Sequence, residues 1–181
     1  MDKAQLEKVI RSGKIGIIPT DTIYGLVGLA LTPSVVEKIY QLKKRDRSKP
    51  MIILISNTQD LKVFNIKIEK ATIEILKKYW PGPTSVILPC RNKKFEYLHR
   101  GTDTLAFRVP DKADLQILLT KTGPVVAPSA NIANEPPATN INQAKKYFQD
   151  KVDFYVDEGE ISNKPSKLIA LKDGKVEVWR K

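Results

Sequence analysis

The sequence holds one cysteine, Cys90, and one histidine, His99, in 181 residues. A single cysteine excludes an internal disulfide framework and any cysteine-rich zinc site. A single histidine means that a histidine-dependent triad or a histidine-ligated metal would have to use His99. That residue stands in the polar stretch Leu98-His99-Arg100-Gly101, which predicts a loop histidine at the surface. Aromatics make up 7% of the chain, few for the stacking surfaces on which single-stranded RNA is read. No apolar run approaches the ~20 residues of a membrane span. The N-terminus has no apolar core with a small-residue cleavage site. Cytoplasmic residence with no membrane partner is the expectation. There is no Gly-x-x-x-x-Gly-Lys-Ser/Thr loop and no Gly-x-Gly-x-x-Gly after a strand, which disfavours P-loop and dinucleotide-binding readings. An enzyme on this chain is expected to work by positioning and electrostatics, without a histidine base.

What the chain does have is positive charge: 31 Lys plus Arg against 20 Asp plus Glu, a net +11. Such a field gathers nucleotides, phosphates, RNA or anionic lipid, although solubility alone explains it equally well. At 41% apolar residues the composition is globular, and the length suits one domain. A chain of this size buries roughly 70% of its unfolded surface and needs no staple.

Periodicity predicts helices over Asp2–Ser12 (capped by Asp2, ended at Gly13), over a segment begun by Thr32-Pro33, and over Glu69–Tyr79, Ala113–Leu119 and Ile141–Phe148. Apolar runs predict strands at Ile15–Ile18, Leu26–Leu31, Met51–Ile55, Thr84–Leu88, Leu105–Val109, Val125–Ala127 and Phe154–Val156. A C-terminal hairpin, Lys167–Leu171 and Lys175–Trp179, turns at Asp173-Gly174. The alternation argues for an α/β fold, a mixed β-sheet covered by helices.

Four segments could carry chemistry. Pro19-Thr20-Asp21-Thr22-Ile23-Tyr24-Gly25 follows a strand, where α/β proteins place ligand loops; it is also a plausible plain turn. Lys43-Lys44-Arg45-Asp46-Arg47-Ser48-Lys49-Pro50 sets five cations against one acid, a local +4. Lysine point charges beside arginine forks suit a polyphosphate, and a solvated charge run fits the same pattern. Val125-Val126-Ala127-Pro128-Ser129-Ala130-Asn131 runs from a strand into Ser and Asn two apart, donors for a phosphate or a turn with a helix cap. Trp80-Pro81-Gly82-Pro83-Thr84-Ser85 reads as architecture.

Together with Phe107-Arg108-Val109-Pro110-Asp111, these segments resemble the YrdC/TsaC family of threonylcarbamoyl-AMP synthases, in the family's order and over roughly the whole chain. The resemblance implies one YrdC-like domain over residues 1–181, a twisted sheet around a basic concave cleft, of the short type without a further C-terminal domain. It implies that L-threonine, bicarbonate and ATP become threonylcarbamoyl-AMP and pyrophosphate, with Mg²⁺, and that partner proteins transfer the group to tRNA. By the same carry-over, Lys43 and Arg45 are catalytic and, with Lys49, hold the phosphates. Ser129 and Asn131 bind the nucleotide, with Ser166 and Arg180 at weaker positions near it. Thr20, Thr22 and Tyr24 line the threonine and bicarbonate pocket, and Arg108 clamps the threonine carboxylate. No residue is implied as a metal ligand.

The sequence departs from the family pattern in places. Ala133-Asn134 replaces Ser-Gly, and Asn tolerates the left-handed backbone that such a turn needs. Asp46 replaces a usual Pro and is expected to pair with Arg47. Ser166-Lys167 replaces Ser-Thr, and Lys181 follows Arg180 where Gly is common. Two other readings use the same cleft. One is a non-catalytic duplex-RNA or tRNA binder with steep salt dependence. The other is carbamoyl-adenylate chemistry as in hydrogenase maturation proteins, against which the lack of companion domains argues.

Overall fold

Neighbouring residues on a strand point to opposite faces of a sheet, so a continuous apolar run is stable only where both faces are covered. The computed structural model, which describes residues 1–172 and 175–180, meets that condition. Its strands are β1 (Gly16–Pro19), β2 (Tyr24–Leu29), β3 (Ile52–Leu54), β4 (Thr84–Pro89), β5 (Thr104–Arg108), β6 (Val125–Val126), β7 (Phe154–Tyr155), β8 (Lys167–Lys172) and β9 (Lys175–Arg180). They form one mixed sheet in the order β7-β1-β2-β6-β3-β5-β4-β8-β9. The helices are α1 (Lys3–Arg11), α2 (Pro33–Lys43), α3 (Lys70–Leu76), α4 (Glu96–His99), α5 (Ala113–Thr122) and α6 (Ile141–Phe148). The predicted turn at Asp173-Gly174 lies outside the described residues.

The alternation along the central strands divides the core in two. Ile17, Leu26, Ile53 and Val126 face the layer that holds Val36 and Ile39 of α2. Their chain neighbours Ile18, Val27, Leu54 and Val125 face Ile10 of α1 and Leu115, Leu118 and Leu119 of α5. Gly28 lets α2 settle onto β2: a Cβ there would lie 2.5 Å from Val35 Cγ1. Asp2 and Gln5 cap α1 reciprocally, and Asn140 caps α6. Thr32 occupies the N-cap of α2, but its side chain makes no capping bond, so Pro33 sets that helix start.

Some expectations fail. The segment Thr58–Phe64 is a 3-10 helix that sends Leu61 and Phe64 into the core; its short apolar spacing gave no helix signal. His99 is not at the surface. The turns at Lys93–Phe95 and α4 drive Phe95 and Leu98 inward and His99 follows them, 3% exposed, its Nδ1 accepting from Gly101 N at 3.2 Å. The Trp80–Ser85 turn is architectural as expected, with Trp80 Nε1 donating to Thr84 O and Gly82 N to Val109 O. Among the described residues no helix is long and apolar enough to cross a membrane.

Five places converge on one side of the sheet: the β1–β2 turn, the loop after α2, the exit of β6, the entry to β8 and the end of β9. They enclose the cavity described next.

Candidate active site

The β1–β2 turn organises itself through its hydroxyls. Thr20 Oγ1 donates to Ile23 O at 2.7 Å and lies 3.1 Å from Thr22 Oγ1. Thr22 Oγ1 in turn accepts from Arg108 Nη1 at 2.8 Å. Arg108 comes from the end of β5, and its Nη2 meets Asp21 Oδ1 at 3.3 Å, with both side chains about 95% buried. Asp21 Oδ2 accepts from Asp111 N. A guanidinium this deep needs a carboxylate to remain charged. Burial, foremost, lowers its hold on its proton, Asp21 opposes that, and Arg180 adds repulsion. Arg108 Nε has no hydrogen-bond partner among the described residues.

Lys43 is the main correction to the phosphate-site expectation. Val36, Tyr40 and Lys43 recur at helical spacing on the buried face of α2, so the Lys43 side chain enters the protein and is 2% exposed. Its Nζ donates to Ser129 O at 2.5 Å, Asn131 O at 2.8 Å and Asn131 Oδ1 at 2.9 Å. Those three acceptors match the three N–H groups of an ammonium. Lys43 is therefore absent from the cavity wall and braces the loop that forms it. Asn131 Oδ1 also accepts from Ser129 Oγ at 2.6 Å, and Asn131 Nδ2 donates to Glu135 O. Asn134 adopts the expected left-handed backbone, φ 71°.

Burial, and secondarily Arg45, push the Lys43 ammonium down to about 7, against ~10.4 in an unfolded chain. Between those values the unfolded chain binds more protons than the native protein. Lys43 thus makes stability rise with pH across that window, by at most about 1.4 kcal/mol per pH unit. In urea unfolding, the stability of wild type minus that of Lys43→Met should rise from about pH 7 to about pH 9. A constant gap would exclude a depressed lysine.

The cationic loop after α2 disperses. Arg45 donates from Nε to Lys49 O at 2.9 Å and from Nη2 to Pro50 O at 3.0 Å, and lines the cavity. Lys49 does not: its side chain is exposed, 4.0 Å from Asp46. Asp46 does not pair with Arg47; it accepts from Ser48 N and Oγ, while Arg47 pairs with Glu37. The short side chain of Asp46 closes its own turn instead, a common use of Asp.

The cavity encloses about 360 Å³. Thr20, Thr22, Tyr24, Arg45, Arg108, Ser129, Asn131, Ser166 and Arg180 of the expected set all border it. Tyr24 does so with its hydroxyl already engaged, donating to Gly159 O at 2.8 Å and accepting from Glu158 N. Ser166 Oγ lies 2.9 Å from Ser85 Oγ, and Arg180 folds back to donate to Ser166 O from Nε and Nη2. Sequence reasoning missed the apolar wall of Met51, Ile52, Ala106, Ala127, Pro165 and Leu168, and the acid at the rim, Glu135. Each comes from a strand or loop whose pattern signals only structure.

Among the described residues, three guanidiniums thus border one cleft with one acid in its lining, Glu135, while Asp21 pairs with Arg108. Arg45 is lowered by burial first, with Arg180 adding repulsion against the opposing pull of Tyr40 and Asp46. Like charges held together in a partly desolvated cleft form a site for a polyanion.

A family profile described as "Telomere recombination", Sua5_yciO_yrdC, matches residues 8–181. The chain belongs to the Sua5/YciO/YrdC family. The threonylcarbamoyl-AMP synthase of Pyrococcus abyssi is 34% identical over 152 residues, covering 83% of this chain and 45% of that protein. A putative threonylcarbamoyl-AMP synthase of Methanocaldococcus jannaschii is 31% identical over 172 residues, covering 94% of this chain and 81% of that one. The P. abyssi Sua5 structure complexed with L-threonine superposes with a TM-score of 0.90 at 30% identity, over 98% of this chain and 53% of that one. The chain thus spans about half the length of the P. abyssi relative. The fold expected from the sequence, a mixed sheet with helices and the family's architecture, is the one observed.

Proposed function

We propose that this Sua5/YciO/YrdC chain is an L-threonylcarbamoyladenylate synthase, a nucleotidyltransferase, with residues 1–181 acting as one domain in the cytoplasm. The observation that carries the reading is the cleft itself, with Arg45, Arg108 and Arg180 around a hydroxyl-lined turn. The names of the relatives and the L-threonine complex of the P. abyssi protein support it.

Every substrate is anionic or carries an anionic group, so neutralisation is the main task of the protein. Arg108 receives the threonine carboxylate, already aimed by Asp21 and Thr22. Thr22 offers its hydroxyl to bicarbonate, Thr20 shapes the turn through the bond to Ile23 O, and Tyr24 closes that end of the pocket. The threonine amine, having lost its ammonium proton to solvent, forms a C–N bond to the bicarbonate carbon as a C–O bond breaks and water leaves. A carboxylate oxygen of the resulting N-carboxy-threonine attacks the α-phosphorus of ATP. The bond from that phosphorus to the bridging oxygen breaks, and pyrophosphate leaves with the electron pair. Arg45 holds the phosphates, Ser129 and Asn131 hydrogen-bond the nucleotide, and Ser166 and Arg180 flank it. Lys43 holds the Ser129–Asn131 loop in place from behind. No step needs a histidine base, and His99 does not border the cavity.

Among the described residues no group of three or more His, Cys, Asp or Glu side chains could hold a metal. The donor set does not fit a resident metal, and Mg²⁺ enters as part of the ATP substrate, held mainly by phosphates. The product goes to partner proteins that act on tRNA. A cavity of about 360 Å³ matches a small-molecule site rather than a duplex groove, so RNA affinity is secondary.

Pyrophosphate release should require ATP, threonine and bicarbonate together. Release that continues without threonine would remove the assignment.

A further inference from the structure

The loop from Lys44 to Pro50 carries Arg45, yet nothing in its own sequence explains why that guanidinium has one place to be. The explanation lies in α2 beneath it. Tyr40, 2% exposed, holds the loop at both ends. Its backbone carbonyl accepts from Arg45 N at 3.0 Å. Its hydroxyl donates to Lys49 O at 3.1 Å, and the same oxygen accepts from Arg45 Nε at 2.9 Å. A carbonyl has two lone pairs, so these two donors saturate it and fix its direction. Burial, foremost, raises the Tyr40 phenol, which keeps it protonated and a donor.

Tyr40 is held in turn from a distant part of the chain. The Arg100 guanidinium lies 4.2 Å from the centre of the Tyr40 ring and donates to Glu37 Oε2 at 3.0 Å. The other carboxylate oxygen of Glu37 pairs with Arg47, in the middle of the same loop. Arg100 has a left-handed backbone, φ 52°, a conformation costly for a residue with a Cβ and maintained only where its surroundings require it. Glu37 and Tyr40 are three apart on α2, so both act on the loop from one helix face.

We propose that Tyr40 is a positioning residue for Arg45: through the Lys49 carbonyl it sets where the guanidinium meets the phosphates of the nucleotide, with Arg100 and Glu37 holding the assembly. This rests on the reading of Arg45 as a nucleotide ligand. Tyr40 touches no substrate; it acts through the carbonyl it shares with Arg45.

Tyr40→Phe keeps the ring, its burial and the Arg100 contact while removing only the hydroxyl. Calorimetric titration with ATP should show affinity weakened by roughly 3- to 10-fold, the loss of one neutral hydrogen bond. KM for ATP should rise in parallel, with KM for threonine unchanged and the melting temperature within a few degrees of wild type. Repeated in an Arg45→Ala background, Tyr40→Phe should have no further effect on ATP binding. Unchanged ATP affinity in Tyr40→Phe, or an equal loss with and without Arg45, would overturn the proposal while leaving Arg45 as a ligand. Unchanged ATP affinity in Arg45→Ala itself would instead remove the underlying reading, and the proposal with it.

Discussion

Arg108→Ala is expected to lower kcat/KM for threonine by at least about 100-fold and to cost about 3–5 kcal/mol of stability. The two losses have different sources. A charge-assisted contact to the threonine carboxylate is worth about 1.5–3 kcal/mol, or roughly 10- to 150-fold, and the slack left in the Thr20–Thr22 turn adds to it. The stability loss arises because Asp21, equally buried, loses its partner. The double variant Asp21→Ala/Arg108→Ala should therefore recover part of the stability in urea unfolding but none of the turnover. Arg108→Lys should retain the ion pair more than the catalysis, since an ammonium cannot reproduce a planar fork. A folded Arg108→Ala protein with an unchanged KM for threonine would remove Arg108 from the threonine site.

Arg45→Ala is expected to reduce kcat/KM for ATP roughly 10- to 150-fold, again the value of one charge-assisted contact. Stability should change little, because the side chain reaches only two loop carbonyls, those of Lys49 and Pro50. Those bonds use two of the five donors of the guanidinium, so the rest remain for phosphate oxygens. Arg45→Lys should fall between wild type and Ala: it keeps the charge but loses the planar fork that spreads donors over both carbonyls and the phosphates. Steady-state kinetics at varied ATP and fixed threonine would measure this. An ATP KM unchanged in Arg45→Ala would mean that the triphosphate lies elsewhere in the cleft.

The elements that the sequence made legible were those stabilised by near neighbours. α6 runs over Ile141–Phe148 as its periodicity indicated, and the apolar runs became strands because both faces of the sheet are covered. Thr20, Thr22, Ser129 and Asn131 were readable as donors because each stands in a turn directly after a strand. His99 was misread because its neighbours are polar, while its burial is set by Phe95 and Leu98. The Thr58–Phe64 helix was missed because a seven-residue 3-10 helix, about two turns, carries too little periodicity to register.

Charge is where sequence and structure divide most sharply. The run from Lys43 to Lys49 looked like a phosphate site with five cations, but folding leaves one of them, Arg45, in the cavity wall. Lys43 is turned inward onto carbonyls 86 and 88 positions away, Arg47 is taken by Glu37, and Lys49 points to solvent. The other two cations of the cleft, Arg108 and Arg180, come from the ends of β5 and β9. The amino-acid sequence alone determined the α/β pattern and the family motifs, because these depend on residue type and local spacing. Which cations face the substrate was decided by tertiary structure, because a buried charge is tolerated only where distant parts of the chain supply its partners.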